Sequence, residues 1–271
     1  MGPGMTWRSA LVIPLAVLAL AGTGRADPAR EILDRRKTLD DTTRHWDDRH
    51  AKMTFKITDR RGSDRTREVE LYERREAGDE RKTIVFFLAP AEVKGTGFLA
   101  FTHPGKPAEQ WLYLPELKRV RQITAHSRNE SFVGTDLTYH DLDLLNEMAS
   151  WTDADAGATL KGEEAVGGTP CHEIEYTPHR DDIGYKRVVL WLGKDDLVPR
   201  RLEFWEDAAE PKKRVLQSDI RPVGAVPVAY RVEVETPASG SKTTIDSSDV
   251  QFDLKLEPDL FEQRYLERGG R

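Results

Sequence analysis

The residues of this sequence that could hold a metal ion are seven histidines and one cysteine, together with its many carboxylates. His45 and His50 are five positions apart, a spacing that does not place two ligands on one face of a helix. Cys171 and His172 are neighbours, so on a strand their side chains would point to opposite faces. Neither an H-E-x-x-H nor a C-x-x-C motif occurs. We therefore predict no metal site.

Nucleophiles and acid–base groups in a catalytic arrangement are equally scarce. Ser131 lacks the G-x-S-x-G turn that presents the serine of an α/β-hydrolase. His140 is next to Asp141, but side chains of consecutive residues point in different directions. Asp136 and Asp141 could form a pair of carboxylates, although one of them as a helix N-cap is the simpler interpretation. The sequence thus predicts no catalytic residues, no cofactor and a protein that is not an enzyme.

Apolar and aromatic side chains are the stronger functional signal, because nine Phe, seven Tyr and six Trp are spread over strand-like runs. A curved antiparallel sheet that is large enough encloses a cavity lined by such residues. The same residues could fill an ordinary hydrophobic core, and composition alone leaves both alternatives open. The residues predicted to line a ligand-binding cavity are Phe55, Phe86, Leu88, Phe98, Phe101, Trp111, Tyr113, Leu142, Leu145, Leu190 and Leu202.

The period of the hydrophobic pattern identifies the elements that must position these side chains. Residues 28–39 have the pattern of a short helix, with Asp27 as its cap. From residue 51 the period is two, so that Met53, Phe55 and Ile57 alternate with polar residues. Similar runs continue to residue 252, which gives roughly ten to twelve strands and two or three helices. Without a β-α-β alternation, we predict a mainly β (α+β) fold with an antiparallel sheet.

The first 26 residues have the pattern of a secretory signal peptide. Arg8 precedes an apolar run over residues 10–21, and Gly24 and Ala26 are small residues at positions −3 and −1 of a cleavage site. The run is short for a membrane span, which takes about 20 residues. We expect cleavage after Ala26 and a periplasmic mature protein, residues 27–271, that forms a single domain.

Charge and cysteine content restrict the partners further. The net charge of −6 is spread over 41 basic and 47 acidic residues without a long block of one sign, which argues against nucleic acid as a partner. Cys171 is the only cysteine, so no disulfide can form within the chain and the fold must depend on its hydrophobic core.

Three sequence blocks resemble a known family. Residues 90–99 read P-x-x-x-K-G-T-x-F-L, residues 111–123 read W-L-Y-L-P-x-L-K-R-V-R-x-I, and residues 131–142 read S-F-x-G-T-D-L-T-Y-x-D-L. In this order the blocks resemble the periplasmic outer membrane lipoprotein-sorting protein family, which is related in fold to the carriers LolA and LolB. The resemblance extends over almost the whole mature chain.

The resemblance implies an incomplete antiparallel β-barrel of about eleven strands, in which helices close a hydrophobic cavity for acyl chains. It also implies transient contact with the membrane surface and, in some cases, partnership with an RND-type exporter. The related carriers latch their lid with an arginine, and this sequence does not indicate which of its arginines would do so.

The main functional hypothesis is a non-enzymatic periplasmic carrier of lipid or of lipoprotein acyl chains to the outer membrane, with the segment 131–145 covering or shaping the mouth of the cavity. The first alternative is a sensor or adaptor subunit of an RND-type exporter or other envelope complex that transfers no cargo. The second is a hydrolase, which would require His, Asp or Ser side chains to converge in the pocket.

Overall fold

The computed structural model of the protein describes residues 27–267 together with Met1. The predicted signal peptide, apart from Met1, lies outside the described residues and stays a prediction. Within the described range the α-helices are α1 (Pro28–Asp41), α2 (Tyr139–Glu147) and α3 (Gln263–Leu266). The strands are β1 (Asp48–Thr58), β2 (Asp64–Arg75), β3 (Arg81–Ala89), β4 (Gly97–His103), β5 (Lys106–Leu114), β6 (Arg119–Gln122), β7 (Ala156–Val166), β8 (Thr169–Pro178), β9 (Arg187–Gly193), β10 (Pro199–Trp205), β11 (Lys213–Val223), β12 (Val226–Thr236) and β13 (Ser241–Phe252).

All thirteen of these strands form one antiparallel sheet in the order β6-β5-β4-β3-β2-β1-β13-β12-β11-β10-β9-β8-β7. The sheet consists of two meanders, β1–β6 and β7–β13, that are joined where β1 pairs with β13. Strands β6 and β7 are its two edges, so the sheet is open and does not close into a barrel. The predicted mainly β fold, an incomplete antiparallel barrel with helices, is confirmed, with thirteen strands instead of about eleven.

Both longer helices begin at caps that the sequence supplies. The Asp27 carboxylate accepts the N–H of Ala29 at 2.9 Å, as predicted for α1. For α2 the cap is Thr138, whose hydroxyl accepts the N–H of Asp141 at 3.0 Å. The Asp141 carboxylate in turn accepts the N–H of Thr138 at 2.7 Å. Asp141, one of the two carboxylates considered as a cap, therefore completes a capping box around Thr138.

Helices α1 and α2 and the loop of residues 123–138 cover one face of the sheet, which we call the inner face. On the half formed by β8–β12, this face is filled by a continuous core in which Leu33 of α1 and Leu144 of α2 pack with the strands. On the half formed by β1–β5, it is covered mainly by Phe132 and Tyr139. Leu142 of α2 packs against both clusters and links them.

The outer face of β3–β5 is covered by the end of the described chain. Phe261 and Leu266 pack there against Ile84 and Phe86. Gly97 permits the close approach, because a Cβ atom at this position would lie 3.0 Å from the Leu266 side chain. Strand β3 is consequently buried on both faces.

Cys171 is fully buried on the outer face of the other half, in a small cluster with Val189 and Trp191. Its thiol donates to the carbonyl of Thr169 at 3.3 Å, and burial raises the pKa of the thiol. The cysteine is therefore a packing residue without nucleophilic character.

A single carboxylate anchors the terminal segment. Asp48, at the start of β1, is buried and accepts the N–H groups of Leu254 and Leu256 at 2.7 and 2.9 Å. Charged acceptors of this kind form the stronger class of hydrogen bond. They turn the chain after β13 toward the outer face, where Phe261 and Leu266 then pack.

Replacing Asp48 by alanine is expected to lower the free energy of unfolding by about 2 kcal/mol, because both N–H groups lose a charged acceptor. Urea unfolding followed by circular dichroism measures this value. Asp47→Ala is the matched control, because the neighbouring Asp47 side chain is exposed. It should change the free energy of unfolding by less than about 0.5 kcal/mol. Equal effects of the two substitutions would contradict the anchoring role of Asp48.

Candidate functional site

An apolar pocket of about 170 Å³ lies between the inner face of β1–β5 and helix α2. Its walls are mainly alkyl and aromatic, so it can exclude water from a hydrocarbon group. Its apolar lining residues are Met53, Phe55, Leu71, Val85, Phe98, Ala100, Phe132, Leu137, Leu142, Leu145 and Ile245.

A wider space of about 400 Å³ adjoins this pocket. The lining residues that the two spaces share are Arg49, Met53, Leu145, Asn146 and Ile245. We call it the arginine groove, after the arginines that line it. They are Arg36, Arg44, Arg49, Arg75 and Arg81. Small-molecule pockets typically measure about 300–1,000 Å³. The apolar pocket alone is smaller than that, whereas the two spaces together fall within the range.

The structure brings only part of the predicted cavity set together. Phe55, Phe98, Leu142 and Leu145 line the apolar pocket. Leu190 and Leu202 also lie on the inner face, but in the filled core of the other half of the sheet. The remaining five lie in the outer-face cluster that the terminal segment covers: Phe86, Leu88, Phe101, Trp111 and Tyr113.

Strand alternation explains this division. Phe98 and Phe101 are three residues apart, so they lie on opposite faces of β4. On β3, Val85 lines the pocket while Phe86, the next residue, packs on the outer face. The prediction combined both faces because all these residues are large and apolar. The prediction missed lining residues such as Leu71 and Val85. Val85 pairs with Phe98 on β4 and with Leu71 on β2, so the three side chains lie on the same face of the sheet.

The loop that precedes α2 forms one wall of the apolar pocket. The ring of Phe132 lies 5.1 Å from that of Phe98 and 5.7 Å from that of Tyr139, measured between centroids. Thr135 and Leu137 keep the loop tight, and the N–H of Phe132 donates to the carbonyl of Leu137 at 2.7 Å. The segment 131–145 thus contributes to the lining of the pocket, and its predicted role at the mouth stays a prediction.

One end of the apolar pocket is polar. Thr83, Thr102, Gln110 and Asp143 line it there, and each is more than nine-tenths buried. The hydroxyls of both threonines, the side-chain carbonyl of Gln110 and one carboxylate oxygen of Asp143 have no hydrogen-bond partner within the described range. Unpartnered buried polar atoms are uncommon and indicate a site for a polar group of a ligand.

Helix α2 is held over the inner face by ion pairs, one for each of its three buried carboxylates. Lys213 of β11 lies 2.8 Å from Asp141. Arg128 lies 2.7 Å from Asp143. Arg180 pairs with Glu147, the third of these carboxylates. The cations come from three separate parts of the chain, and together they determine the position of the helix.

The three carboxylates differ in their pKa shifts. Burial opposes the ionisation of Asp141, but Lys213 and the hydroxyl of Tyr185 outweigh it and hold the pKa of Asp141 below its usual range. For Asp143 and Glu147, burial outweighs the paired arginines and raises the pKa of each carboxyl. At neutral pH, Asp141 is accordingly the most firmly charged of the three.

Asp136, the other candidate carboxylate, has a structural role. It accepts hydrogen bonds from the hydroxyls of Thr236, Ser241 and Thr243, of which that of Thr243 lies at 2.8 Å. Lys213 donates both to the backbone carbonyl of Asp136 and to Asp141. Asp136 therefore ties the loop to β12 and β13, at the centre of the sheet.

Two acidic side chains, Glu73 and Asp143, line the pocket. Its lining among residues 27–267 includes no histidine, serine or cysteine. Several of the described histidines have partners away from the pocket; His50 contacts Glu70 at 2.8 Å, for example, and His140 contacts the carbonyl of Ile183. In the same range, no three His, Cys, Asp or Glu side chains are grouped as metal ligands would be.

Arg67 is a buried cation under the loop. It lies on the inner face of β2 beside Gly134, and two of its nitrogens lack a hydrogen-bond partner within the described chain. Burial lowers its pKa, and the charge of Arg65 adds to this effect. A glycine is needed opposite Arg67, because position 134 has a φ of +80° and little space for a Cβ atom.

A family model described as "Uncharacterized protein" matches residues 79–268. The chain belongs to this family. No curated protein matches it significantly.

Solved structures of similar proteins agree with the fold. A DUF1329 family protein from Desulfovibrio piger is 27% identical, with 89% of this chain and 99% of that chain covered and a TM-score of 0.80. A putative outer membrane lipoprotein-sorting protein domain from Vibrio parahaemolyticus is also 27% identical, with 88% and 97% covered and a TM-score of 0.79. A LolA superfamily protein from Nitrosomonas europaea shares the fold at 18% identity, with 88% and 98% covered and a TM-score of 0.63. The resemblance inferred from the three sequence blocks is confirmed.

Among residues 27–267, no helix has the length and apolar character needed to cross a membrane.

Replacing Lys213 by methionine is expected to lower the free energy of unfolding by about 3–5 kcal/mol at neutral pH, because Asp141 would remain buried without its cation. The stability that this pair contributes is present above the ordinary carboxyl pKa and is lost as the pH falls through the lowered pKa of Asp141. The difference between wild type and Lys213→Met should therefore narrow as the pH falls. Urea unfolding at a series of pH values measures it.

Lys212→Met is the control for this experiment, since the neighbouring lysine is half-exposed and lies 3.4 Å from Glu206 at the surface. It should change stability by less than about 1 kcal/mol at every pH. A Lys213→Met effect that is independent of pH would contradict the assignment of the stabilisation to the ionised carboxylate.

Proposed function

We propose that the protein is a periplasmic carrier that binds lipid or the acyl chains of lipoproteins for transfer to the outer membrane, without catalysing a reaction. The observation that carries the proposal is the apolar pocket, closed by α2 and the 131–138 loop on the inner face of an open LolA-like sheet. The similarity to a putative lipoprotein-sorting domain and the predicted signal peptide support the compartment.

The driving force would be the burial of hydrocarbon. Each CH₂ group removed from water contributes about 0.8 kcal/mol. The apolar pocket is near the size of an engineered cavity of about 150 Å³ that admits benzene, so it accommodates one end of a chain, and the arginine groove extends the path toward the solvent. Longer cargo would displace the Leu142 and Leu145 side chains of α2, which are only partly buried.

Retention by burial makes release costly, so a carrier needs a partner that opens the site. An RND-type exporter or another envelope protein is the partner class that the resemblance suggests, together with transient contact of the carrier with a membrane surface. Such a partner could act on α2, because the two ion pairs of Asp143 and Glu147 are made to arginines outside the sheet strands.

The first test is native mass spectrometry of the mature protein purified without detergent, followed by organic extraction. A co-purifying phospholipid or acylated species would support the carrier proposal and name the cargo class. A bare protein mass, together with failure to bind N-phenyl-1-naphthylamine, an uncharged apolar fluorophore, would contradict it.

A pocket-blocking variant makes the test specific. Met53 lies where the apolar pocket and the arginine groove meet, and it is only partly buried. Met53→Trp is expected to weaken binding of the fluorophore by about tenfold or more, a loss of at least about 1.4 kcal/mol, because the indole fills the passage. Fluorescence titration measures the dissociation constant.

Thr54→Trp is the matched control, because Thr54 is the next residue of β1 and lies exposed on the opposite face. It should leave the dissociation constant within about twofold of wild type. If both tryptophans weaken binding equally, the fluorophore binds elsewhere and the pocket is not the site.

The filled half of the inner face favours a second candidate, the sensor or adaptor that transfers no cargo. Large residues such as Leu190 and Leu202 occupy space there that a cavity would need. In an adaptor, binding to an envelope protein would be saturable and would be unaffected by Met53→Trp. A carrier would lose cargo transfer with the same substitution.

A further inference from the structure

The arginine groove lies between α1, the start of β1, the turn that joins β2 to β3, and an apolar wall from β12 and β13 that includes Val228 and Phe252. Its guanidinium groups come from α1, from the loop after it and from strands β1–β3, and its acidic lining residue is Asp40. The five residues are Arg36, Arg44, Arg49, Arg75 and Arg81. The groove thus joins a cluster of cations to an apolar wall, on a protein whose net charge is −6.

Three of these cations surround one buried indole. The guanidinium carbons of Arg75, Arg49 and Arg81 lie 4.2, 5.8 and 6.0 Å from the centre of the Trp46 ring. Trp46 is itself packed against Phe252 at 5.5 Å, so the ring is fixed in place. Cation–π contact holds the arginines close together in spite of their like charge.

The carboxylates nearby do not neutralise this cluster. Glu73 is shared by Arg49 at 2.8 Å and Arg81 at 3.3 Å. Asp40 is likewise shared, by Arg36 and Arg44, at 3.4 and 3.8 Å. The charge of Asp41 also acts on Arg75, although this carboxylate pairs with Lys37 at 3.0 Å. Three carboxylates therefore act on five guanidinium groups.

Arg75 has no carboxylate partner within ion-pair distance in the described chain. Its side chain donates to the backbone carbonyl of Asp40 at 3.3 Å, and its Nε atom, like that of Arg49, is buried without a partner. Burial lowers the pKa of Arg75, and the charge of Arg81 lowers it further. A bound anion would relieve both the repulsion and the missing hydrogen bonds.

Along β2 and β3, the side chains on the inner face change from charged to apolar with distance from the groove. Every second residue of a strand lies on this face. On β2 the order is Arg75, Glu73, Leu71, and on β3, in register with it, the order is Arg81, Thr83, Val85. The unpartnered oxygens of Thr83, Thr102 and Gln110 lie in this intermediate zone. The path thus runs from guanidinium groups through hydroxyl, amide and carboxyl groups, the last from Glu73 and Asp143, to hydrocarbon.

We propose that the arginine groove binds the phosphate of an acyl glycerophosphate-type amphiphile whose chain occupies the apolar pocket. The inference deepens the proposed carrier function and rests on it. Planar guanidinium groups match the oxygens of a phosphate with two parallel hydrogen bonds. The glycerol hydroxyls of such a ligand would donate to the unpartnered side-chain oxygens of the intermediate zone.

The test compares two ligands that share the chain and the glycerol and differ in the phosphate: 1-lauroyl lysophosphatidic acid and 1-lauroylglycerol. Each is titrated below its aggregation concentration against N-phenyl-1-naphthylamine bound to the wild-type protein. The phosphate ligand is expected to bind about ten- to a hundredfold more tightly, the range for a charged hydrogen-bonded contact. Added salt should reduce that advantage.

Arg75→Gln should reduce the phosphate advantage to about two- or threefold while leaving 1-lauroylglycerol unchanged, because only the charge contact is lost. Arg231→Gln is the matched control, since Arg231 is exposed and pairs with Asp246 at 2.7 Å, and it should retain the full advantage. Thermal unfolding of each variant verifies that it is folded. Arg49→Gln is a second variant should Arg75→Gln not fold.

The outcomes separate the inference from the function on which it rests. Equal affinities of the two ligands for the wild type would overturn the phosphate site and leave the carrier proposal intact. Failure of both ligands to displace the fluorophore would overturn both proposals. Inorganic phosphate alone, measured by calorimetry, should bind far more weakly than the lysophosphatidic acid. If it binds equally well, the groove is a site for free anions and the amphiphile proposal is wrong.

Discussion

The structure depends on a short acidic helix that must lie on an apolar sheet. Asp141, Asp143 and Glu147 of α2 are all at least nine-tenths buried, and each has a cation from another part of the chain. A buried ion pair adds little net stability compared with apolar packing, but one buried partner without the other is strongly destabilising. The helix therefore has one position in which all three carboxylates are paired. The three ion pairs therefore determine which part of the inner face the helix covers.

What it covers determines where space remains on the inner face. The side of α2 that bears Leu144 completes the core over β8–β12, whereas Leu142 and Leu145 reach toward β1–β5 without filling the gap. The polar end of the pocket follows from the same restriction, because the pairing of Asp143 with Arg128 brings a carboxylate beside Gln110. The pocket and its polar end are thus consequences of how the helix is held.

The sequence predicted where the strands and helices lie along the chain, but it did not indicate which face of a fully apolar strand would line the pocket. In β1, polar residues alternate with Met53, Phe55 and Ile57. This pattern correctly predicted that the three apolar side chains lie on the same face of the sheet. In β3, residues 84–87 are buried on both faces, because the terminal segment supplies Phe261 and Leu266 as a second cover. A continuous apolar run contains no signal for which side faces the helices. The placement of the outer-face residues depends on contacts that local sequence does not encode.

The arginine groove could not be found from the sequence for a related reason. Arg36 belongs to a basic run of α1 that is expected to face water, yet it is half-buried and lines the groove. Arg75 and Arg81 flank a turn, where charged residues are unremarkable until the pairing of β2 with β3 places them side by side. Trp46 is a large aromatic residue in a polar stretch of sequence, which is unusual. The three arginines around its ring come from different strands, so the cluster is visible only in the folded structure.

The order of groups along β2 and β3 gives the inner face a direction. A ligand with a charged end and an apolar end would satisfy the guanidinium groups, the intermediate oxygens and the hydrocarbon walls only in one orientation. Reversal would place a charge among residues such as Leu71 and Val85, where an unpaired ion is very unfavourable. The outer face offers no comparable path over β3–β5, because the protein's own terminal segment occupies it. Polarity and space thus change together on the inner face of β1–β5, beside the helix whose position the buried ion pairs fix.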